Sequence, residues 1–451
     1  MYALIDCDHF FASCERVFRP DLWYRPVAVL SNNDGCVIAR SPEVKSLGVK
    51  MGEPFFQCHS KLQAHQVAVF SSNFSLYADL SRRVMQTIRE FIEEGGRPRV
   101  EVYSIDEAFV DVSELSIYDL SRFAHELRRR VLDRTGIPVS IGLGLTKSLA
   151  KAATHFAKRS PERIHLLHTE QRRVSALRQL DIEAVWGVGR RWAERLRRIG
   201  LERALDLAEA SPERIRIAAR HVYLLRLSRE LRGERCIPLE TSPPPRSSIR
   251  YSRTFSRPIK DEVILREAIS AFAAQLGQRL RTHQRRAGSL LLWLSASSPA
   301  RRSGRSAPLY YRVKLSAGLP SYTADSSSLI KLALTLYQSL STSALSEAPS
   351  LLGRPIAWRK AGLLALDLRD DSQLELATMR PDPRRVKLSK VEDELNRQFG
   401  RGAVQIGGIP VKPLHRDSSG SIADQPWRAL QSSLSPRYTT CWSDLPVVSA
   451  L

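Results

Sequence analysis

The chain reads as an α/β, more fully α+β, multidomain protein. Three observations predict this. Short apolar strands alternate with amphipathic helices through the first 170 residues. A run of short, glycine-separated helices follows. Beyond Pro243-Pro244-Pro245 the elements recur in the order β-α-β-β-α-β. At 451 residues the chain has room for two to four domains and needs no metal or disulfide to fold.

The elements follow in order. Residues 2–7 are an apolar run short enough for a buried strand, and a helix starts at Phe10. Residues 27–31 and 36–40 flank Asn32-Asn33-Asp34-Gly35, a hairpin signal. Pro42 suits the first position of a short helix that Gly48 closes. Residues 75–94 carry helical periodicity up to Gly95-Gly96, and residues 100–112 read as strand, sharp turn, strand. An arginine-rich amphipathic helix spans 119–134, a strand 138–145 and a helix 147–158. Short helices fill 170–235 around Val185-Trp186-Gly187-Val188-Gly189-Arg190-Arg191. The proline run is a semi-rigid linker. Strands are then expected at 249–256, 288–296, 309–316 and 357–367, with helices at 262–283 and 326–340, a ferredoxin-like arrangement. After about residue 370 prolines interrupt the pattern, and loosely structured chain with local helices is expected.

Charge narrows the partners. Sixty-nine Lys and Arg against 47 Asp and Glu leave a net +22, which calls for a polyanion: nucleic acid first, an anionic membrane surface second. The opening residues lack the basic and apolar regions of a signal peptide, and no apolar run could span a bilayer. Six cysteines without C-x-x-C spacing suit free thiols in a cytoplasmic setting. The surplus is uneven. Residues 246–315 hold fifteen basic residues and three acidic ones, and 171–235 hold sixteen arginines and nine acids.

Acidic residues gather where strands end. Asp6 and Asp8 close the first strand, and Asp106 and Glu107 lie at the tight turn. Any one alone is most simply a surface group. Several hard oxygen ligands on neighbouring strand ends are what two magnesium ions need for in-line phosphoryl transfer. Gly187 and Gly189 between helices read as a helix-hairpin-helix, whose backbone N–H groups approach a phosphate, with Arg190 and Arg191 adding charge. Arg250, Arg253 and Arg257, near the strand after the linker, are the expected phosphate contacts there. Phe10 and Phe11, by composition alone, read as core aromatics.

Asp6-Cys7-Asp8-His9-Phe10-Phe11-Ala12-Ser13-Cys14-Glu15 and Tyr103-Ser104-Ile105-Asp106-Glu107-Ala108-Phe109 resemble the two signature motifs of the Y-family translesion DNA polymerases. Ser31 to Arg40, Leu47 to Gly52 and Leu434 to Thr440 resemble the UmuC branch, the catalytic subunit of DNA polymerase V. The resemblance runs from residue 2 to about 445. It implies a right-handed polymerase: palm 1–19 and 71–168, fingers 20–70, thumb 169–235, linker 236–248, DNA-binding little finger 249–368 and a partner-docking region 369–451. The implied activity is error-prone, template-directed addition of deoxynucleotides to a primer 3′-hydroxyl on damaged DNA, within the SOS response.

The resemblance also assigns residues. Asp6, Asp106 and Glu107 would hold two Mg²⁺ ions, with the Cys7 carbonyl as a further ligand and Glu107 helping position the hydroxyl. Asp8 matches no metal ligand. Phe11, with Phe10 beside it, would be the steric gate against a 2′-hydroxyl. Lys158 and Lys45 would bind the triphosphate. Pro42 stands where many relatives have a tyrosine, which removes one phosphate hydrogen bond. The implied partners are a UmuD-type dimer, RecA and the sliding clamp, in a cytoplasmic, nucleoid-associated setting. Gln373-Leu374-Glu375-Leu376-Ala377 looks like a clamp-binding pentapeptide whose last residue is too small for its pocket. Two other readings stay open: a non-catalytic DNA-binding homologue on the same scaffold, and a palm-type nucleotidyl cyclase.

Overall fold

The computed structural model describes residues 1–96, 99–218, 221–242, 244–298, 309–343, 356–373, 382–400, 402–406 and 426–445. They form two compact units, residues 1–243 with 432–451, and residues 244–431.

In the first unit the order is β1 (Tyr2–Cys7), α1 (Phe10–Val17), β2 (Val27–Leu30), β3 (Val37–Arg40), α2 (Pro42–Ser46), α3 (Phe55–Ala64), β4 (Ala68–Ser71), α4 (Phe74–Glu94), β5 (Val100–Val102), β6 (Glu107–Asp111), α5 (Ile117–Thr135), β7 (Val139–Gly144), α6 (Lys147–Ala157), β8 (Ile164–Leu167), α7 (Glu170–Gln179), α8 (Arg190–Arg198), α9 (Ala204–Glu209), α10 (Pro212–Ala218) and α11 (Val222–Arg232). The main sheet runs β5-β6-β1-β7-β8 and a smaller one β3-β2-β4. β1 is central and wholly buried, so its two faces serve two cores. Ala3, Ile5 and Cys7 pack with α4 and α5 side chains such as Tyr77, Leu80 and Leu127. Tyr2 and Leu4 pack with Phe109 and with Ala150 of α6. The period of two therefore turns Asp6 toward α6.

Helix α6 comes unusually near the sheet. A Cβ at Gly142 would lie 2.2 Å from the Thr154 backbone nitrogen, and one at Gly144 2.6 Å from that of Ala150. The glycines between 142 and 144 thus serve helix-to-sheet approach and not a phosphate loop. Helices α7 to α11 share an apolar core with Leu149, Ala152 and Ala153 of α6, where Leu177, Leu196, Leu207 and Leu227 are buried.

The second unit contains β9 (Ile249–Ile259), α12 (Glu262–Thr282), β10 (Arg285–Ser298), β11 (Leu309–Thr323), α13 (Ser326–Ser343), β12 (Trp358–Asp370) and α14 (Pro383–Gln398). The expected element order is present. The sheet order is β11-β10-β12-β9, all antiparallel, so the fourth strand lies between the first two, where a ferredoxin-like sheet has its third. Periodicity reports elements and not their neighbours. Both long helices cover one face, where Leu265, Phe272, Leu292, Leu329 and Leu363 are buried.

Residues 369–451, expected as one region, divide between the units. Asp382 caps α14 in the second unit, and residues 432–445 belong to the first. The linker divides too. Glu230 accepts the Cys236 and Ile237 N–H groups, and Lys147 donates to the Pro238 carbonyl, all within the first unit. Pro243 and residues 374–377 of the clamp-like pentapeptide lie outside the described residues.

Candidate active site and nucleic-acid surfaces

The carboxylates meet through strand register. Asp6 of β1 pairs with Glu107 of β6, and the turn before Glu107 presents Asp106. That turn is tight: the Tyr103 and Ser104 N–H groups both donate to the Glu107 carbonyl, and Cys7 N–H donates to the Asp106 carbonyl at 2.8 Å. Ser104 Oγ donates to Asp106 Oδ1 at 2.5 Å.

A row of lysines on α6 answers these acids. Lys147 and Lys151 are four residues apart and Lys158 is seven further on, so they share a helix face. Lys147 binds the buried Glu101 at 2.7 Å, Lys151 reaches both Glu107 oxygens at 2.6 Å, and Lys158 reaches Asp6 at 2.7 Å. Burial raises the Asp6 carboxyl to about 7, Lys158 pulls against that shift, and Glu107 adds to it. Lys151 also lies over the Tyr103 ring at 5.1 Å, and Trp186 Nε1 donates to Tyr103 Oη. The sequence singled out neither Lys147 nor Lys151; their i, i+4 spacing on a helix with no other Lys, Arg, Asp or Glu was the available signal.

Asp6, Asp106 and Glu107 offer hard oxygen donors suited to Mg²⁺. Each is engaged elsewhere, by Lys158, Ser104 and Lys151, and among the described residues no three ligating side chains converge on one point. Burial pushes the thiol of Cys7 well above its ordinary range. Asp8 points elsewhere, accepting from buried Ser140 at 2.7 Å.

Phe10 and Phe11 differ in exposure. Phe10 is 4% exposed and belongs to the core, its ring centroid 5.8 Å from that of Phe11. Phe11 is half-buried and stacks on Tyr77 with centroids 4.5 Å apart. Lys45 is exposed near the end of α2. Burial lowers His9 and His155; Asp8 opposes the shift at His9, and the charges of Lys158 and Lys45 add to it at both.

Comparison with known proteins now has a geometry to meet. Residues 5–155 match the impB/mucB/samB family, residues 246–377 its C-terminal domain, and residues 386–448 a domain of unknown function, DUF4113. The chain is 38% identical to Protein UmuC of Salmonella typhimurium strain LT2 over 99% of both chains. It is 33% identical to Protein MucB of Escherichia coli over the full length of both. The chain belongs to the impB/mucB/samB family. It falls in the UmuC branch of the Y-family DNA polymerases. A DNA polymerase IV of Corynebacterium diphtheriae is 34% identical over 48% of this chain and 46% of its own. A Y-family DNA polymerase chimera of Dbh and Dpo4 superposes with a TM-score of 0.61 at 21% identity, covering 81% of this chain and 98% of that one, a likeness of fold.

Two basic surfaces of this UmuC-branch chain follow. At Gly187 φ is +82°, and a Cβ there would lie 2.0 Å from Tyr223 Oη, so the hairpin requires glycine at that position. Gly189 caps α8, and a Cβ there would meet nothing within 4 Å. Arg190 pairs with Glu194 at the surface, and Arg191 is exposed.

On β9 the three candidate arginines separate. Arg253 pairs with Ala361 and Arg250 with Leu364, so they face opposite sides of the sheet. Arg253 lies over Tyr251 on the helix-covered side, donating to its hydroxyl at 3.3 Å, which removes it from the open face. Spacings of three and four cannot hold three side chains on one side of a period-two strand. Arg250 and Arg257 are exposed. The open face instead centres on Trp293, which lies over Gly362 and between Arg312 at 5.5 Å and Lys360 at 5.3 Å, with Lys314 alongside. Replacing Arg312 and Lys360 together by alanine is expected to flatten the salt dependence of DNA binding by roughly two in log–log slope, about 0.9 per phosphate contact. Arg253→Ala is expected to leave the slope alone. Titrations at four salt concentrations measure both, and an unchanged slope in the double variant rules out this face.

Glu15 is another residue that the sequence left without a role. It is fully buried on α1, where Tyr77 Oη donates to its Oε1 at 2.6 Å and Ser435 Oγ at 3.2 Å. Burial lifts its carboxyl from the ordinary 4.5 to about 7, against the hydrogen bonds of Tyr77 and Ser435 and the charge of Arg19; Cys14 and Tyr438 are its other titratable neighbours. The folded state therefore binds more protons than the unfolded one between those values. Stability should fall as pH rises from about 4.5 to about 7, at up to about 1.4 kcal/mol per pH unit. Glu15→Gln is expected to remove this slope in denaturant melts run across that range, and an identical slope in the variant would discount it.

Proposed function

We propose that the chain is an error-prone, template-directed translesion DNA polymerase that joins deoxynucleotides to a primer 3′-hydroxyl. The observation that carries this reading is the register pairing of Asp6 with Glu107 beside Asp106, faced by the lysines of α6. In this reading residues 1–19 and 71–168 are the palm, 20–70 the fingers, 169–235 the thumb and 249–368 the little finger.

Asp6, Asp106, Glu107 and the Cys7 carbonyl would hold two Mg²⁺ ions, which lower the pKa of the primer hydroxyl and neutralise the triphosphate. Lys158, released from Asp6, turns its charge to the triphosphate, and Lys45 adds a second cation. Lys151 holds both Glu107 oxygens at the strand end. The flat ring of Phe11 lies beneath the sugar and excludes a 2′-hydroxyl. Gly187, Gly189, Arg190 and Arg191 grip duplex phosphates without reading sequence, as do Arg250 and Arg257 and the open sheet face of the little finger. A UmuD-type dimer, RecA and the sliding clamp are the proposed partners.

The test is extension of a primer across an abasic site, with and without a UmuD-type dimer and RecA. Insertion opposite the lesion supports the reading. Binding of primed DNA with no extension under either condition overturns it in favour of a non-catalytic homologue.

A further inference from the structure

Residues 432–445 belong to the first unit and reach Glu15, one helical turn from Phe11. Ser71 N–H donates to the Ser433 carbonyl at 2.9 Å, Ser433 N–H donates to Ser71 Oγ at 3.0 Å, and Ser71 and Leu434 form a parallel bridge. Ser432 N–H reaches Asp34 Oδ2 at 2.8 Å. Asn73 caps α4 through its Oδ1, and its Nδ2 donates to Ser435 O and Oγ and to Pro436 O. Tyr438 enters the core and stacks on Phe18 at 4.8 Å. A segment held at this many points is a fixed strap.

Ser435 is the buried link in that strap. Its hydroxyl donates to Glu15 Oε1, the same oxygen that receives the Tyr77 hydroxyl, while Glu15 Oε2 is buried without a hydrogen-bond partner. Glu15 follows Phe11 by four residues, one turn along the same face of α1. The Tyr77 ring spans the two: its hydroxyl is held by Glu15 and its face stacks on Phe11, with Phe74 edge-on to both rings. Stacked rings lie in nearly parallel planes, here within 15°, so whatever orients Tyr77 orients Phe11.

We propose that Ser435 is a positioning residue for sugar discrimination: through Glu15 and Tyr77 the C-terminal strap sets the plane of Phe11. This rests on the reading of Phe11 as the ribose gate. Removing the Ser435 hydroxyl leaves Glu15 with one donor in a buried site, so the carboxylate shifts, Tyr77 loses its fixed anchor and the Phe11 ring gains freedom.

The experiment compares single-nucleotide insertion of a ribonucleotide and the matching deoxynucleotide on undamaged primed DNA, using the full chain. Ser435→Ala is expected to lower deoxy-over-ribo selectivity in kcat/KM by up to about ten-fold, the equivalent of one hydrogen bond to a charged group. Tyr77→Phe, which keeps the stack and loses the hydroxyl, should move selectivity the same way. Ser433→Ala, on the exposed part of the strap, should not. In a Phe11→Ala background Ser435→Ala should add nothing, because the link then has no ring to orient. Should Phe11→Ala itself leave selectivity unchanged, the gate reading fails and this proposal falls with it. Should Phe11→Ala reduce selectivity while Ser435→Ala and Tyr77→Phe match Ser433→Ala, the gate stands and the strap has no part in it. An equal loss for both sugars in Ser435→Ala and Tyr77→Phe, with selectivity intact, also overturns the proposal, since it marks a purely structural role.

Discussion

Glu107→Ala is expected to abolish primer extension, by more than the roughly hundred-fold that loss of an outer-shell metal partner alone can cause. The carboxylate sits on a strand end in register with Asp6, and Lys151 reaches both of its oxygens. No neighbouring acid can replace it, because Asp8 is turned to Ser140 and Glu101 is held by Lys147. Alanine also strands the Lys151 ammonium near Tyr103 and Trp186. Glu107→Gln keeps a partner for that lysine and should be as inactive while melting like the parent. Asp106→Ala should behave alike. Affinity for primed DNA should persist in all three, because the basic surfaces lie on other elements. Extension within a few-fold of the parent by any of these variants would end the two-metal reading of this cluster.

The second large effect is on folding. Gly142→Ala should destabilise the first unit by about 3 kcal/mol or more, the upper end of what overpacking costs. The new Cβ would stand 2.2 Å from the Thr154 nitrogen and 2.5 Å from the Ala150 carbonyl oxygen. Both are backbone atoms of α6, so no rotamer change relieves the contact, and the helix must lift from the sheet. Lys151 and Lys158 lift with it and move away from Glu107 and Asp6. Urea melts report the stability, and extension at a temperature where the variant stays folded reports the misplaced lysines. A parent-like midpoint would mean that α6 has slack the packing does not suggest.

Much of this was legible in the residues. Asp6 at the end of an apolar hexamer, and Asp106-Glu107 inside a strand–turn–strand pattern, carry their positions in local sequence, because strand period and turn chemistry act over a few residues. The hairpin glycines 187 and 189 are of the same kind. So is the basic surplus after residue 245, since a charge count needs no coordinates.

Other features depend on which segments meet. Arg253 looked equivalent to Arg250 until register with β12 put them on opposite faces. Trp293, Arg312 and Lys360 come from three strands and form a surface only in the order β11-β10-β12. Lys151 is an ordinary helix lysine in the sequence, and Lys158 is marked only by the family resemblance; the approach of α6 allowed by Gly142 and Gly144 makes both counter-ions of the site.

The longest reach is the one no local pattern contains. Glu15, Tyr77 and Ser435 are 62 and 420 residues apart from first to second and first to last, yet share one carboxylate oxygen. By itself the sequence determined the kinds of element, the acidic cluster, the basic surplus and the family motifs. The tertiary structure alone decided which acids meet which lysines, which arginines share the open face and where residues 432–445 bind. Hydrogen-bonding and apolar preferences are written locally, whereas register, helix approach and long-range pairing emerge only when the whole unit packs.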